Sequence, residues 1–562
     1  MPIRRALTAL ALLPSLAAAQ PALPLTHQPE PTKSAITAAD LMTRLYLFAD
    51  DSMQGRETGT QGHLKSTAYI AAELTRLGIQ PAGDNGTYFQ DVPMVNRSLD
   101  PTSTISAGGS TLTAMVDFVA TVGRGEPSSL DGAQVIYGGM LGDTTKSLTP
   151  DQVRGRLVIV SVPRQGGAGG FGAMMRAMGS LGEAAGIATI AGQTLPAAAV
   201  RNAAPRAGNV VMKDPNAPAP AAPLQLQLTS HGAEVLLGAP MATVTAGMTG
   251  QTVHGTPRFQ ESPAPARNVV GIIPGSDAAL KGQYVAIGAH NDHIGFTAGN
   301  AVDHDSLHLY NQARYAITGM LARGERPTAE QASAVNAIRV NLDSVRALRP
   351  PRLDSIRNGA DDDGSGTVTV LELAEAFALG KAKPKRSLLF VWHVAEEKGL
   401  NGSQWYTDHP TVPRDSIVAQ LNMDMVGRGE RTDLPVGGPD YLQLVGSRRL
   451  SSELGDLVEA VNTAQKMPFR FDYQFDANGH PENIYCRSDH YEYARYGIPI
   501  VFFTTGLHGD YHQVTDEPQY IAYDHMARVG RLVYDVALKL ANLDHRPVVD
   551  GAKPDPKGRC VQ

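Results

Sequence analysis

The sequence has few cysteines. Only Cys486 and Cys560 occur among its 562 residues, which is too few for a zinc site built from thiolates alone. We therefore expect any metal to be held by histidine and carboxylate side chains. In an exported protein the two cysteines can pair and tie the C-terminal segment to the body, but the sequence is also compatible with two free thiols.

The sequence also lacks an excess of positive charge and, beyond its N-terminus, long apolar runs. The formal net charge is −6, whereas a nucleic-acid-binding protein needs a basic face. No later run approaches the ~20 apolar residues that cross a bilayer as a helix. We predict neither a nucleic-acid partner nor a membrane span.

Residues 1–19 are typical of a secretory signal peptide. Arg4 and Arg5 precede an apolar stretch at 6–16, and Ala17-Ala18-Ala19 supplies the small residues that a signal peptidase reads. Cleavage is predicted before Gln20. We therefore expect a protein that is exported to the periplasm or the medium.

The length allows two or three domains, and a composition of 42% hydrophobic and 19% charged residues is that of a globular protein. Residues 20–117 start with a Pro-rich stretch and continue in helical patterns, one of them at 66–77. Short strand patterns follow at 133–137, 157–162, 187–191 and 224–228, separated by Gly-, Pro- and Ala-rich connections. We predict that 118–260 is a β-rich domain inserted between the two parts, 20–117 and 261–562, of a larger one.

Residues 261–562 alternate between strand and helix patterns. Strands are predicted at 268–273, 284–289, 388–394, 418–423 and 498–503, and helices at 367–379 and 451–462. Several of these strands are continuous apolar runs, which is typical of strands covered on both faces. The expected fold is therefore α/β, with a mixed, largely parallel sheet and helices on both of its faces. An Arg-rich helical stretch at 329–348 belongs to an insertion, 300–357, that we place at the surface.

Polar motifs follow most of these strands, at the sheet edge where open α/β folds have their sites. The motifs are Ala289-His290-Asn291-Asp292, Ala395-Glu396-Glu397, Asn422-Met423-Asp424-Met425 and Asp510-Tyr511-His512-Gln513, with a weaker one at Ser488-Asp489-His490. Imidazole and carboxylate donors with almost no cysteine suit zinc, and less well manganese or cobalt. One motif alone is common on protein surfaces, but the set predicts a metal centre.

Three consecutive aspartates, Asp361, Asp362 and Asp363, precede the helix predicted at 367–379. Helix capping and the helix dipole account for one carboxylate at such a place. Three adjacent carboxylates repel one another, however, and therefore indicate a cation. One of them could bridge two metal ions.

Together these motifs resemble the co-catalytic zinc aminopeptidases, the bacterial leucyl-aminopeptidase-like family. Residues 51–60 look like the N-terminal signature of that family, and residues 118–260 look like the protease-associated domain often inserted in it. Arg487-Ser488-Asp489-His490 and Gly497-Ile498-Pro499 also match. The resemblance covers most of the mature chain and implies a zinc-exopeptidase-like fold with two zinc ions.

The resemblance also implies a role for each site residue. His290 and Asp424 would hold one zinc, Glu397 and His512 the other, and Asp362 would bridge the two ions. Glu396 would be the general base, Asp292 the partner that orients His290, and Tyr511 a donor to the oxyanion. We expect His293 and His393, which lie beside these residues, to pack against the ligands rather than to bind metal.

The implied reaction is hydrolysis of the N-terminal peptide bond of peptides or proteins. A carboxypeptidase or dipeptidase could use the same metals, with Arg428, Arg487 or the Arg-rich insertion holding the substrate carboxylate. A glutaminyl cyclase would keep a single zinc, and a non-catalytic peptide-binding receptor would lose ligands or the base. The insertion 300–357 is either a flap beside the site or a solvated excursion, and the oligomeric state stays open.

Overall fold

The structure is a computed structural model that describes residues 24–562, except 124, 142, 144–147, 163–180, 206–208, 215, 217–220 and 320–326. The predicted signal peptide at 1–19 lies outside the described residues. Among the described residues, no helix has both the length and the apolar character needed to cross a membrane.

A nine-stranded mixed sheet forms the centre of the larger body. In chain order its strands are β1 (Gln80–Pro81), β2 (Phe89–Asp91), β3 (Arg267–Ile273), β4 (Tyr284–His290), β5 (Ser387–His393), β6 (Ile417–Met423), β7 (Tyr441–Val445), β8 (Arg470–Asp472) and β9 (Ile500–Thr504). The spatial order is β1-β3-β5-β4-β6-β9-β7-β8, and β2 also pairs with β3. The five strands predicted from apolar runs are confirmed, with small shifts of their ends.

Four neighbouring strands of this sheet, β5, β4, β6 and β9, are parallel. The flanking pairs, β3 with β5 and β7 with β9, are antiparallel. The carboxyl ends of the four parallel strands therefore meet at one edge of the sheet. This is the mixed α/β sheet that the sequence predicted.

Ten helices of this body and its insertion are described. They are α1 (Ala38–Phe48), α2 (Gln61–Arg76), α3 (His304–Thr318), α4 (Ala329–Asn336), α5 (Asp343–Arg346), α6 (Gly366–Leu379), α7 (Asn401–Asp408), α8 (Ser452–Thr463), α9 (His490–Ala494) and α10 (Tyr523–Ala541). In β5, Leu388, Phe390 and Trp392 enter the core formed with α1, α2, α6, α8 and α10. Leu389 and Val391 point the other way, into the core shared with α7 and α9. Helices thus cover both faces, because side chains alternate along each strand.

A second unit, with its own cores, lies between β2 and β3 in the chain. Its six-stranded sheet has the spatial order Thr249–Thr252, Gln134–Met140, Leu157–Ser161, Gly186–Gly192, Leu224–Thr229 and Phe118–Thr121. The four strands predicted here are confirmed. At the root of the unit, Met94–Leu99 and Phe259–Ala264 pair antiparallel, so the chain leaves and returns side by side.

The insertion after β4 is closed at its base by the antiparallel pair Val302–Asp303 and Leu353–Asp354. The single helical stretch predicted at 329–348 was wrong in detail, since the chain forms α4 and α5 with a break between them. At the break the Asn341 side chain accepts a hydrogen bond from the N–H of Asp343 at 2.9 Å, a local turn that competes with the helix. The sequence did not reveal α3, the longest described helix of the insertion.

The two cysteines form a disulfide that joins positions 74 residues apart. Nearby, the side chain of Gln562 accepts a hydrogen bond from the N–H of Tyr485 and donates to the carbonyl oxygens of Phe475 and Ala477. These contacts fix the C-terminal segment against the loop that precedes α9.

Candidate metal centre

The predicted site residues converge at the carboxyl edge of the four parallel strands. His290 ends β4, Glu396 and Glu397 follow β5, Asp424 follows β6, Tyr511 and His512 lie on the loop after β9, and Asp362 lies just before α6. Loops far apart in the sequence therefore supply one site, as expected at such an edge.

Asp362 stands between two groups of donors. Its Oδ1 lies 3.2 Å from Nε2 of His290, and its Oδ2 lies 3.0 Å from Nε2 of His512. The His290 nitrogen is also 3.6 Å from Oδ1 of Asp424, while the His512 nitrogen is 3.1 Å from Oε2 of Glu397. One carboxylate thus faces both histidine–acid pairs.

Among the described residues, three groups of side chains have donor atoms within 4.8 Å of one another, close enough to hold a metal ion. Two of them lie at this site: His290, Asp363 and Asp424, and His293, Asp362, Glu397 and His512. The third, His304, Asp354 and Glu517, contains none of the predicted ligands. Two members of the groups at this site, Asp363 and His293, were not among the predicted ligands. For His293 the signal was the spacing His290-x-x-His293 directly after a strand.

The lack of hydrogen-bond partners also indicates that these donors suit a cation. Nε2 of His290 and of His512, both ring nitrogens of His293, Oδ2 of Asp362 and Oε1 of Glu397 are buried with no hydrogen-bond partner among the described residues. Buried polar atoms are rarely left unpaired in proteins. Neutral imidazoles and carboxylates are ligands that zinc takes, so this donor set is suited to it.

The pKa shifts of the site residues also support a cation site. Burial raises the pKa of Glu396 well above its usual range, and the nearby Glu397 and Asp424 add to the rise. Burial alone would lower the pKa of His512, but Glu397 and Asp362 outweigh it and raise the pKa to about 10. Without a metal, therefore, protons supply the positive charge that these carboxylates require.

A family comparison agrees with this geometry. Residues 330–537 match the model of Peptidase family M28. The match covers less than half of the chain. All the predicted site residues except His290 and Asp292 fall inside the matched range.

Several relatives of this chain are known by name. Leucine aminopeptidase 1 of Aspergillus fumigatus is 30% identical over 211 residues, which are 35% of this chain and 50% of the relative. The protein of the same name from Sclerotinia sclerotiorum is 29% identical over 223 residues, 38% of this chain and 54% of the relative. The chain thus spans about half the length of the curated relatives it matches.

Solved structures that align with most of this chain include two bacterial proteins. An aminopeptidase from Aneurinibacillus sp. strain AM-1 is 16% identical, with a TM-score of 0.47 over 92% of this chain and 97% of that one. BSAP, a zinc aminopeptidase from Bacillus subtilis, is also 16% identical, with a TM-score of 0.47 over 90% of this chain and 96% of that one.

Asp292 joins the ends of β4 and β5. Its Oδ1 accepts from the N–H of Glu396 at 3.1 Å, and its Oδ2 accepts from the hydroxyl of Thr58 at 2.9 Å. Nδ1 of His290 lies 3.1 Å from the main-chain oxygen of Asp292 but 3.8 Å from the carboxylate. The carbonyl is therefore the closer partner of His290, and the carboxylate holds the segment that carries the predicted base.

The three consecutive aspartates have three different surroundings. Asp363 accepts from the N–H groups of Gly366, Met425 and His290 at 2.8, 3.2 and 3.1 Å. Asp361 accepts from the N–H of Gly427 at 2.7 Å on Oδ1, and Nε2 of His508 lies 3.3 Å from Oδ2. Two of the aspartates thus fasten neighbouring loops, and Asp362 is left to face the histidines.

Arg56 shows what the N-terminal segment contributes to the site. Its guanidinium is fully buried, lies 4.5 Å from the ring centre of Phe48, and donates to the carbonyl oxygens of Asn358 and Gly359 at 2.5 and 2.8 Å. Gly55 has φ +62°, and a Cβ there would fall 2.5 Å from the carbonyl oxygen of Arg357. The segment therefore cradles the loop that leads to Asp362.

Three residues beside the ligands or among them have left-handed backbone conformations. Ala395, Met425 and His512 have φ of +55°, +58° and +61°, and such angles cost non-glycine residues of order 1–3 kcal/mol each. Around Met425 the conformation is held by its N–H bond to Asp363 and by its carbonyl oxygen, which accepts from the hydroxyl of Thr505 at 2.9 Å. Strain of this kind is typical of functional sites.

A cavity opens beside the donors. Its lining includes the acidic side chains of Asp362, Glu396 and Asp424 and the apolar side chains of Met425, Phe475, Ile484, Phe502 and Leu507. Arg487 and Tyr511 also border it. The cavity therefore combines acidic metal donors with apolar side chains.

Helix α3 of the insertion packs against the loop that carries Tyr511 and His512. Asn311 donates to Oδ1 of Asp510 at 3.3 Å and to the hydroxyl of Thr515 at 3.2 Å. Nδ1 of His308 lies 3.0 Å from Oδ2 of Asp510, and the hydroxyl of Tyr315 donates to the carbonyl oxygen of Leu507 at 2.9 Å. This part of the insertion packs against the candidate site and is not a solvated excursion.

Proposed function

We propose that this chain is an exported two-zinc aminopeptidase that releases the N-terminal residue of peptides or proteins. The observation that carries the proposal is the position of Asp362, whose two oxygens face His290 and His512 respectively. A shared carboxylate between two histidine–acid pairs is what a two-metal hydrolase requires.

In this proposal each zinc would have its own pair of ligands. His290 and Asp424 would hold one ion, His512 and Glu397 would hold the other, and Asp362 would be shared between them. When bound, such a pair of ions makes water a better nucleophile at neutral pH and polarises a carbonyl group.

Glu396 moves the protons. Its Oε2 lies 4.0 Å from Nε2 of His290, and its side chain reaches the cavity. The raised pKa of this carboxyl suits a group that takes a proton from the attacking water and keeps it for the departing amine.

Tyr511 donates to the oxygen that becomes negative in the transition state. Burial, with help from Asp362, raises the pKa of Tyr511 well above its usual range, so the phenol keeps its proton. Arg487 donates to the phenol oxygen at 3.1 Å, which leaves the phenol hydrogen free to reach a substrate carbonyl oxygen. A positioned donor of this type typically contributes ~10²–10³-fold to the rate.

The cavity favours an amino terminus over a carboxyl terminus. Its acidic side chains suit a free α-amino group, and its apolar side chains suit an apolar side chain of the substrate. Several of the cations proposed for a carboxypeptidase already have acidic partners: Arg428 binds Asp433 and Asp510, Arg487 binds Glu482, and Arg346 and Arg349 of the insertion bind Asp305. The chain retains all the proposed ligands and the proposed base, which argues against a non-catalytic receptor.

We further propose that 118–260 is a protease-associated domain inserted into a peptidase domain formed by 20–117 and 261–562. The strands of that region and their antiparallel root support this division. Export is proposed from residues 1–19, and N-terminal sequencing of secreted protein should begin at Gln20.

The test of the reaction is a peptide library offered to zinc-loaded protein, in free and in N-acetylated form, with products identified by mass. We expect sequential loss of N-terminal residues, apolar ones fastest, and no cleavage after acetylation. Loss of residues from the carboxyl end would support the carboxypeptidase instead. Elemental measurement should give two zinc ions per chain, and a value near one would favour a cyclase-like site.

A further inference from the structure

We propose that His293 is a ligand of the zinc held by His512 and Glu397, so that this ion has four protein donors. The inference rests on the two-zinc centre proposed above and concerns a residue that the sequence placed among packing histidines. The two metal positions would then differ: protein side chains would fill the coordination sphere of one ion, and the other ion would keep an open coordination position.

The spacing of the donor atoms supports this assignment. Nδ1 of His293 lies 2.8 Å from Oε1 of Glu397 and 3.6 Å from Oδ2 of Asp362. The distances from Nε2 of His512 to Oδ2 of Asp362 and to Oε2 of Glu397 are 3.0 and 3.1 Å. Ligands ~2.0–2.1 Å from a tetrahedral zinc stand about 3.3 Å apart. These four side chains therefore have the spacing of a single coordination sphere.

The hydrogen-bond pattern separates His293 from residues that only support the site. His293 is fully buried, yet neither ring nitrogen has a hydrogen-bond partner among the residues that the structure describes. Asp363, by contrast, accepts main-chain N–H groups on both of its oxygens. Both ring nitrogens of His293 therefore lack the hydrogen bonds that hold Asp363 to the main chain.

The surrounding backbone fixes the ring in this place. The N–H of His293 donates to the carbonyl oxygen of Arg56 at 3.3 Å. Gly359 lies against the ring, and a Cβ at that position would fall 2.6 Å from Cγ and Cδ2 of His293. The absence of a side chain at 359 therefore makes room for the imidazole.

Four protein donors have a functional consequence. Zinc sites with four protein ligands are closed, whereas catalytic sites keep an open position. The ion of His290 and Asp424 would then be the one with room for substrate. The ion on the His512 side would be bound more tightly and would be the last to leave during chelation.

Zinc-loaded wild-type crystals test the ligand directly. Anomalous difference density should place one ion about 2.0–2.3 Å from Nδ1 of His293. A separation of more than ~3 Å, with the ring bonded instead to Glu397, would overturn the inference. If fewer than two ions bind, the proposed two-zinc function fails. If two ions bind away from His293, only the present inference fails.

Chelator competition in solution gives a second readout that does not depend on activity. His293→Ala should weaken one of the two zinc affinities by more than the ~10–100-fold typical of a residue that merely supports a ligand. The matched control is His393→Ala, since His393 is equally buried but pairs with Tyr493 at 3.0 Å and belongs to neither donor group. Equal zinc affinities in the two variants would contradict the proposal, and circular dichroism verifies that both fold.

Discussion

Neighbouring carboxyl groups in this site differ by what each one faces. Asp361, Asp362 and Asp363 are consecutive and buried, yet two of them accept main-chain N–H groups and only Asp362 faces two histidines. The chain direction at each residue decides which way the carboxylate points. The function of each aspartate in this loop therefore depends on its position and not on its residue type alone.

Glu396→Gln should separate catalysis from metal binding. The amide cannot accept the proton of the attacking water, so kcat should fall by ~10²–10⁴-fold, while zinc content stays at the wild-type value. Steady-state kinetics and elemental measurement provide the comparison, with the exposed Glu330→Gln as the control. Undiminished turnover would remove Glu396 from the mechanism.

Glu517 should make stability depend on pH. Burial raises the pKa of Glu517 to about 8, above the ~4.3 of an unfolded glutamate. The folded state therefore binds the proton more strongly, and the free energy of unfolding falls as pH rises from about 4 to 8.

In Glu517→Gln this loss should disappear. We expect the variant to unfold at a temperature higher than wild type by at least ~2 °C at pH 8, with the difference vanishing near pH 4. The exposed Asp84→Asn is the control for removing one carboxyl. Equal melting temperatures at pH 8 would show that Glu517 carries no such penalty.

At the scale of secondary-structure elements, the strands could be predicted because buried parallel strands appear in the sequence as apolar runs. Helix α2 was predicted from Ser66 but begins at Gln61. Its first turn contains His63, whose buried Nε2 accepts from the N–H of Arg267 at 3.2 Å. When a polar residue is buried by a contact with a residue distant in the sequence, the local sequence pattern does not predict its burial.

The same reasoning explains which parts of the site could be anticipated. Ligands at strand ends were predictable because strand ends share an edge. Helix α3 and the position of His293 were not, because they depend on contacts between segments distant in the sequence.

Asn311→Ala tests whether α3 positions the loop of Tyr511 and His512. The variant loses the bonds to Asp510 and Thr515, so kcat/KM should fall roughly tenfold if ~1.4 kcal/mol of positioning is lost. The exposed Asn336→Ala of α4 is the control within the insertion. Identical kinetics in the two variants would show that the insertion does not affect catalysis.

For the whole molecule, the disulfide should be a main stabilising link of the C-terminal part. Closing a loop of 74 residues stabilises a fold by about 4 kcal/mol in the chain-entropy treatment. The double variant Cys486→Ser, Cys560→Ser should therefore unfold at lower urea concentration. Addition of reductant should lower the midpoint of wild type alone. An unchanged midpoint in the double variant would contradict the expectation.

The paired strands Met94–Leu99 and Phe259–Ala264 have a consequence for how such a protein can change. Because adjoining strands run about 4.8 Å apart, everything between them is attached to the larger body at nearly one point. A single genetic exchange there could replace or delete the whole inserted unit, closing the gap with a short hairpin, and leave every side chain of the proposed metal centre where it was. The inserted unit and the proposed metal centre can then evolve separately.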